Sequence, residues 1–245
     1  MSSYRYWDPT PPSLSKQPAL AIDPILGVKP WSGARNPLTR SDYARRVSMT
    51  ATTPASAGER IVLLFESNAE YGAALETLLL PDFHNIEAQV QPIDYLHPTG
   101  EWRQHYYDLL VTLRCGKRIA YYVKAGSRLR HRDVQEEYLA ICEYTPHSLC
   151  DEIKVVSSAR YTRDAISNLQ MIWNLLQRPD PSLDRHVLDV AKSEVYWDIR
   201  GLLSYCNIST PAMGWQSVMR LIGKGLIEAD IYNRISHYTR IQVRA

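Results

Sequence analysis

WRQHYYDLLVTLRCGKRIAYYVK, residues 102–124, holds two β-rich runs, 102–114 and 118–124, joined by Cys115-Gly116-Lys117. A short polar link containing glycine, set between runs rich in Tyr, Val, Leu and Ile, is a hairpin signal. Downstream, residues 131–144 (HRDVQEEYLAICEY) return to helical spacing through Val134, Tyr138, Ile141 and Cys142, and 153–157 (IKVVS) form a short apolar strand. Upstream, 86–96 (IEAQVQPIDYL) reads as a strand in which Pro92 marks an edge or a bulge. Residues 65–80 (FESNAEYGAALETLLL) read as a helix, with Tyr71, Ala74, Leu75, Leu78 and Leu79 on one stripe, and Pro81 ends it. A further helix is expected over 162–177. The order helix, strand, strand, strand, helix, strand, helix predicts an α/β domain over 59–178, a mixed sheet with helices on its faces.

The flanks have different characters. Arg178-Pro179-Asp180-Pro181-Ser182 breaks the chain. Beyond it, 183–245 reads as one or two helices, then a helix starting at Thr210-Pro211 and stopped by Gly223-Lys224-Gly225, then short strands over 226–231 and 237–243. This is the order of a small winged-helix domain. Before the α/β domain, residues 1–58 carry eight of the fifteen prolines and no sustained period. They are expected to form an extended arm with one short helix near 41–47. Tyr4, Tyr6, Trp7 and Trp31 favour docking of parts of that arm on a surface.

Composition narrows the class. At 245 residues, with 45% hydrophobic and 22% charged side chains, the chain has the makeup of a folded protein rather than a disordered one. No apolar run reaches the 18 or so residues needed to span a bilayer, and the first residues hold no secretory apolar core. Cys115, Cys142, Cys150 and Cys206 are scattered without a CxxC pair, which disfavours a disulfide framework or a structural zinc and suits a reducing cytoplasm. Net charge is only +2, yet Leu109 to Arg132 contains seven basic residues and no acid: Arg114, Lys117, Arg118, Lys124, Arg128, Arg130 and Arg132. Such a run suits a polyanion, with DNA or RNA first. The plain alternatives are a charged sheet edge or a surface for an acidic protein partner.

One constellation can carry chemistry. Glu66 and Glu70 lie four apart, on one face of the expected helix. Asp108 sits within an otherwise apolar and aromatic strand, where a carboxylate is costly unless paired or ligating. Lys124 ends the next strand. Carboxylates are hard oxygen ligands for Mg²⁺, the metal acidifies a bound water, and a lysine offsets phosphate charge; together these serve phosphodiester hydrolysis. Taken singly, each has a structural explanation: a helix-terminal acid, a strand-end acid paired to arginine, a solvated lysine.

These residues also carry a resemblance. Phe65-Glu66-Ser67-x-x-Glu70, Val90-Gln91-Pro92-Ile93, Tyr107-Asp108-Leu109-Leu110-Val111 and Tyr122-Val123-Lys124 resemble the restriction-endonuclease-like superfamily, motif PD…(D/E)xK, and within it the TnsA-type endonucleases of bacterial transposons. The resemblance covers roughly 60–245 and leaves the arm aside. It implies a nuclease domain followed by a winged helix. The implied catalytic residues are Glu66, Glu70, Asp108 and Lys124, with Mg²⁺ or Mn²⁺ held by Glu66 and Asp108. It implies double-stranded DNA as partner, in transposition or mobile-element biology, contacted through Arg114, Lys117, Arg118, Arg128, Arg130 and Arg132. A transposase or other protein subunit and a homodimer are the implied assemblies, in a bacterial cytoplasm at the nucleoid. Two positions depart: Tyr107 replaces the proline, and Tyr122 replaces the acid or glutamine that supplies a metal ligand. The second departure motivates the rival expectation of a catalytically silent relative that binds DNA as a regulator or assembly factor.

Overall fold

The computed structural model describes residues 26–35 and 46–244. The chain is mixed α/β. Its central sheet has four strands: β4 (Phe83–Ala88), β7 (Leu109–Leu113), β8 (Arg118–Lys124) and β9 (Glu152–Ser157), in the order β4-β7-β8-β9. The first three are antiparallel neighbours and β9 runs parallel to β8. The expected hairpin is β7–β8, turned at Gly116 with φ +89°, a left-handed backbone that glycine adopts without strain.

Alternation along the strands gives the sheet two buried faces. Leu109, Val111, Tyr121 and Val156 pack against helix α1 (Asn68–Leu78). Leu110, Ala120 and Tyr122 pack on the opposite face against Ile141 of α2 (Arg132–Tyr144) and against Ile93 and Tyr95 of β5 (Ile93–Leu96). Among the described residues, β5 pairs only with β6 (Trp102–His105), as a separate ribbon.

Several boundaries differ from expectation. The strand expected over 86–96 is two, β4 and β5, parted at Gln89, whose φ of +52° breaks the extended run. The run 102–114 is likewise two, β6 and β7, and Asp108 sits just before β7 rather than in its middle. α1 starts at Asn68 with Ser67 as N-cap, so Glu66 precedes the helix. A strand unforeseen in the sequence, β3 (Arg60–Phe65), pairs antiparallel with β2 (Val47–Thr52) and parallel with β1 (Val28–Lys29). The described parts of the expected arm are therefore sheet strands: the 58/59 boundary falls in the turn of the β2–β3 hairpin, and Val47 begins β2. Trp31 packs on the first core. The expected helix near 41–47 otherwise lies outside the described residues, as do Tyr4, Tyr6 and Trp7.

Helix α3 (Arg163–Leu176) links the two halves. Its Leu169 belongs to the core around α1, whereas Ile172 belongs to the core of the C-terminal segment. That segment comprises α4 (Pro181–Ser193), α5 (Ile199–Tyr205), α6 (Pro211–Gly223) and an antiparallel pair, β10 (Ile227–Ala229) and β11 (Ile241–Val243). Asp180, Asp198 and Thr210 stand at the three N-cap positions, and Pro follows the first and third, as the chemistry of helix starts favours. No helix among the described residues is long and apolar enough to cross a membrane.

Candidate active site

The four expected site residues converge at one end of the central sheet. Leu109 pairs with Tyr121, and just before it the Asp108 N–H donates to the Tyr121 carbonyl at 3.3 Å, so Asp108 stands at the end of this ladder. Lys124, two residues after Tyr122, shares its face of β8, with its Nζ 4.8 Å from the centre of the Tyr122 ring. The Asp108 Oδ2 accepts a hydrogen bond from the Val123 N–H at 2.9 Å. Its carboxyl is pushed up to about 7, mainly because it is walled in by protein and then because the Glu70 carboxylate is near; the Val123 N–H, Lys124 and Arg35 act the other way.

Glu70 occupies the third residue of α1 and reaches back over the helix start, in a variant of the capping box. Its Oε1 accepts from the Ser67 hydroxyl at 2.8 Å and its Oε2 from the Glu66 N–H at 2.9 Å, while the Ser67 oxygen accepts from the Glu70 N–H. The side chain is buried, and burial raises its pKa against the hydrogen bonds it accepts. Both Glu70 oxygens are thus used in holding the helix start. Glu66 is the acid whose oxygen remains available: its Oε2 is ion-paired to Arg35 Nη2 at 2.8 Å, but its Oε1 is buried without a hydrogen-bond partner.

Three residues here were not visible in the sequence reading. Arg35 reaches in from the segment before β2. Its Nη2 meets Glu66, its Nε donates to Gln89 Oε1 at 3.0 Å, and its guanidinium lies over the Tyr106 ring at 5.3 Å. Gln89 is fully buried, with Nε2 unpartnered. The His105 ring packs against Tyr107 and Tyr122, and its Nε2 is also buried and unpartnered. Burial, with Lys124 and Arg35 close by, pulls the His105 imidazole down to about 3, so it is neutral at physiological pH. Gln89 gave no sequence signal, because it falls in the polar half of the alternation Ile86-Glu87-Ala88-Gln89-Val90. Arg35 had none.

Tyr122 is 1% exposed and its hydroxyl has no partner. Burial holds the phenol protonated, so it offers no anionic oxygen to a cation. Among the described residues, six buried side-chain polar atoms lack a hydrogen-bond partner, and four of them belong to Glu66, Gln89, His105 and Tyr122, in or beside this cluster. Each such atom costs about 1–3 kcal/mol.

The expected basic run is divided. β8 spans seven residues, about 20 Å, and separates its two ends. Arg114, Lys117 and Arg118 sit at the far turn, where Lys117 pairs with Glu152 and Arg118 donates to the Ser148 carbonyl. Arg128 and Arg130 follow Lys124 in a short turn, on the pocket side, and Arg132 begins α2, paired to Glu136. The four cysteines are free thiols. Among the described residues, no three His, Cys, Asp or Glu side chains form a metal-binding group. A groove of about 1060 Å³ lies elsewhere, between the end of α4 and the β10–β11 pair.

No protein-family model matches the chain, and no curated protein matches it.

Proposed function

We propose that this chain is a DNA-binding protein on a restriction-endonuclease-like core, followed by a winged-helix unit, and that its pocket cleaves DNA phosphodiesters with Mg²⁺ or Mn²⁺. The observation that carries the reading is the Asp108 carboxyl, enclosed beside Glu70 and tied to the strand that ends in Lys124. The resemblance to TnsA-type endonucleases falls on these residues. The mixed sheet with α1 on one face and α2 on the other, and three helices followed by a two-stranded hairpin, support the two-part fold.

The donor set suits a hard divalent cation. Glu66 Oε1 is an orphaned buried carboxylate oxygen, and Asp108 is a second acid whose charge nothing nearby neutralises in full. Glu66 and Asp108 would hold the ion, which when bound lowers the pKa of a coordinated water. Lys124 offsets charge on the phosphate, and Glu70 holds the turn that presents Glu66. Arg128 and Arg130 extend the cationic surface for the DNA backbone. In the C-terminal segment, α6 is not the DNA reader: its one charged side chain, Arg220, is buried against Asp184. The exposed Arg200, Arg234 and Arg240 lie on α5 and the hairpin instead.

The test is metal-dependent nicking of supercoiled DNA. Wild type is expected to nick with Mg²⁺ or Mn²⁺, and Asp108→Ala and Lys124→Ala are expected to lose at least a hundredfold of that activity. Equal rates in wild type and Asp108→Ala remove the enzyme reading.

A second reading is favoured by the buried, protonated Tyr122 and by Arg35 already seated on Glu66: a silent relative that binds DNA without cutting. It predicts salt-sensitive DNA binding and no nicking with either metal. Restoring an acid through Tyr122→Glu distinguishes an eroded site from a repurposed one.

A further inference from the structure

Gln89 has three features that local packing does not require. It is fully buried, its backbone is left-handed at φ +52°, and its side-chain Nε2 has no partner. Left-handed backbone at a residue other than glycine or asparagine is strained, and such strain collects at functional sites. The residue is gripped from both sides. Its N–H donates to the Asp108 carbonyl at 3.1 Å, and its carbonyl accepts from the Ala34 N–H at 2.8 Å. One side-chain end is fixed as well, because Arg35 Nε donates to Oε1 at 3.0 Å. That contact settles the amide orientation and leaves two N–H donors unused on Nε2.

Arg35 is placed with equal care. Parallel pairing of Val28–Lys29 with Arg60–Ile61, the packing of Trp31 on the first core and the Ala34–Gln89 bond lead the chain to it. Nε and Nη2 lie on one edge of the guanidinium. Arg35 therefore brings Gln89 and Glu66 side by side, while Tyr106 supports its face. Its charge is felt at Asp108 and at His105. A planar guanidinium next to an unused amide donor is the geometry that grips two oxygens of one phosphate.

We propose that Arg35 and Gln89 form a phosphate subsite of this pocket, binding one backbone phosphate of DNA. Arg35 balances Glu66 in the free protein. When DNA enters, the guanidinium turns from Glu66 to the phosphate, the Gln89 amide donates to a second oxygen, and Glu66 is released for its own role. Arg35 is supplied by a segment N-terminal to the residues Glu66, Glu70, Asp108 and Lys124, and Gln89 follows β4, so the subsite is complete only with that segment docked. This inference rests on the reading of the chain as a DNA binder. It does not depend on cleavage.

The experiment is fluorescence anisotropy with a labelled DNA duplex, in EDTA, across a series of salt concentrations, using the full chain. Wild type, Arg35→Ala, Arg35→Lys and Gln89→Glu are compared, with thermal unfolding of each recorded alongside. Arg35→Ala is expected to weaken binding about tenfold and to lower the slope of log affinity against log salt by about one, the signature of one lost phosphate contact. Arg35→Lys keeps the charge and is expected to keep the slope, with a smaller loss of affinity because the forked contact is gone. Gln89→Glu keeps a partner for Arg35 and so stays folded, but it removes the donor and is expected to weaken binding by about tenfold. An unchanged slope in Arg35→Ala, with only its unfolding temperature lowered, overturns the subsite and makes Arg35 a strut for the segment. Wild-type affinity in Gln89→Glu overturns it too. If wild type itself fails to retain the duplex, the DNA-binding reading falls and takes the subsite with it, an outcome separate from the other two.

Discussion

At Asp108, stability and the proposed function pull apart. Its carboxyl is raised to about 7 by enclosure and by Glu70, so the folded state prefers it protonated while the unfolded chain does not. The sign follows directly. The stabilising contribution is fully present below the ordinary carboxylate range and is lost as pH rises through about 7. Asp108→Asn keeps an oxygen for the Val123 N–H and removes the charge. In EDTA, this variant is expected to match wild type in stability at pH 3, below the ordinary carboxylate range, and to exceed it at pH 8.5 by about 4 kcal/mol, at 1.36 kcal/mol per pKa unit. Denaturant unfolding at the two pH values checks it, and a variant no more stable at pH 8.5 contradicts the enclosure argument. Glu70 illustrates the opposite balance. It looks like a site acid in the sequence, yet both oxygens are spent on the helix start. Ser67-x-x-Glu70 is a capping-box pattern, and no sequence reading separates that role from catalysis.

Among the elements, the hairpin β7–β8 was legible because its turn chemistry and its alternation agree, with Gly116 at the position that needs a left-handed backbone. α2 and α3 were legible because their apolar stripes have helical spacing. What misled was continuity of composition. Tyr106-Tyr107 is as β-favouring as the strands it parts, so β6 and β7 read as one, although they belong to different sheets. The β2–β3 hairpin was hidden for a similar reason: Ile61 to Phe65 runs apolar into the helix, and the turn around Pro54 looks like more of the proline-rich lead. Arg35 and Gln89 are 54 residues apart, and long-range contacts bring them together: the parallel pairing of β1 with β3, the packing of Trp31 and the Ala34–Gln89 backbone bond. In the C-terminal segment, the sequence showed amphipathic helices but not that α4 and α6 are joined through a buried charge cluster. Asp184 takes hydrogen bonds from Arg220, Ser217 and Lys224. Burial works to raise its carboxyl, and these donors outweigh burial, leaving it below the usual carboxylate range. Its stabilising contribution is therefore present at neutral pH and lost on acidification through that lowered value. Asp184→Asn strands the buried Arg220 and is expected to cost about 3–5 kcal/mol at pH 7, measured by denaturant unfolding. A loss under 1 kcal/mol means Arg220 finds water instead.

Across the whole molecule, the question is whether the two cores unfold together. Among the contacts that join them, two differ in kind. One is polar: Glu76 on α1 accepts from Tyr161 and Tyr232, at 2.7 and 2.8 Å, and pairs with Arg160 at 2.7 Å, tying the helix to the turn after β9 and to the loop after β10. The other is apolar: α3 gives Leu169 to one core and Ile172 to the other. Gly72 and Gly223 allow the close approaches this demands, since a Cβ at Gly72 would stand 2.5 Å from the Tyr161 ring and one at Gly223 2.5 Å from Ile172. The two devices differ in strength. The Glu76 cluster is half-exposed at Arg160, where a charge pair contributes little, and its main cost on removal is two tyrosine hydroxyls left without their acceptor. The shared face of α3 is buried apolar surface, which cannot be given up by one half without exposing the other. Glu76→Ala is therefore expected to lower stability by about 2–3 kcal/mol while unfolding stays a single transition, with far-ultraviolet circular dichroism and tryptophan fluorescence coinciding. If the two probes separate in that variant, the polar cluster rather than α3 is what makes the halves one cooperative unit.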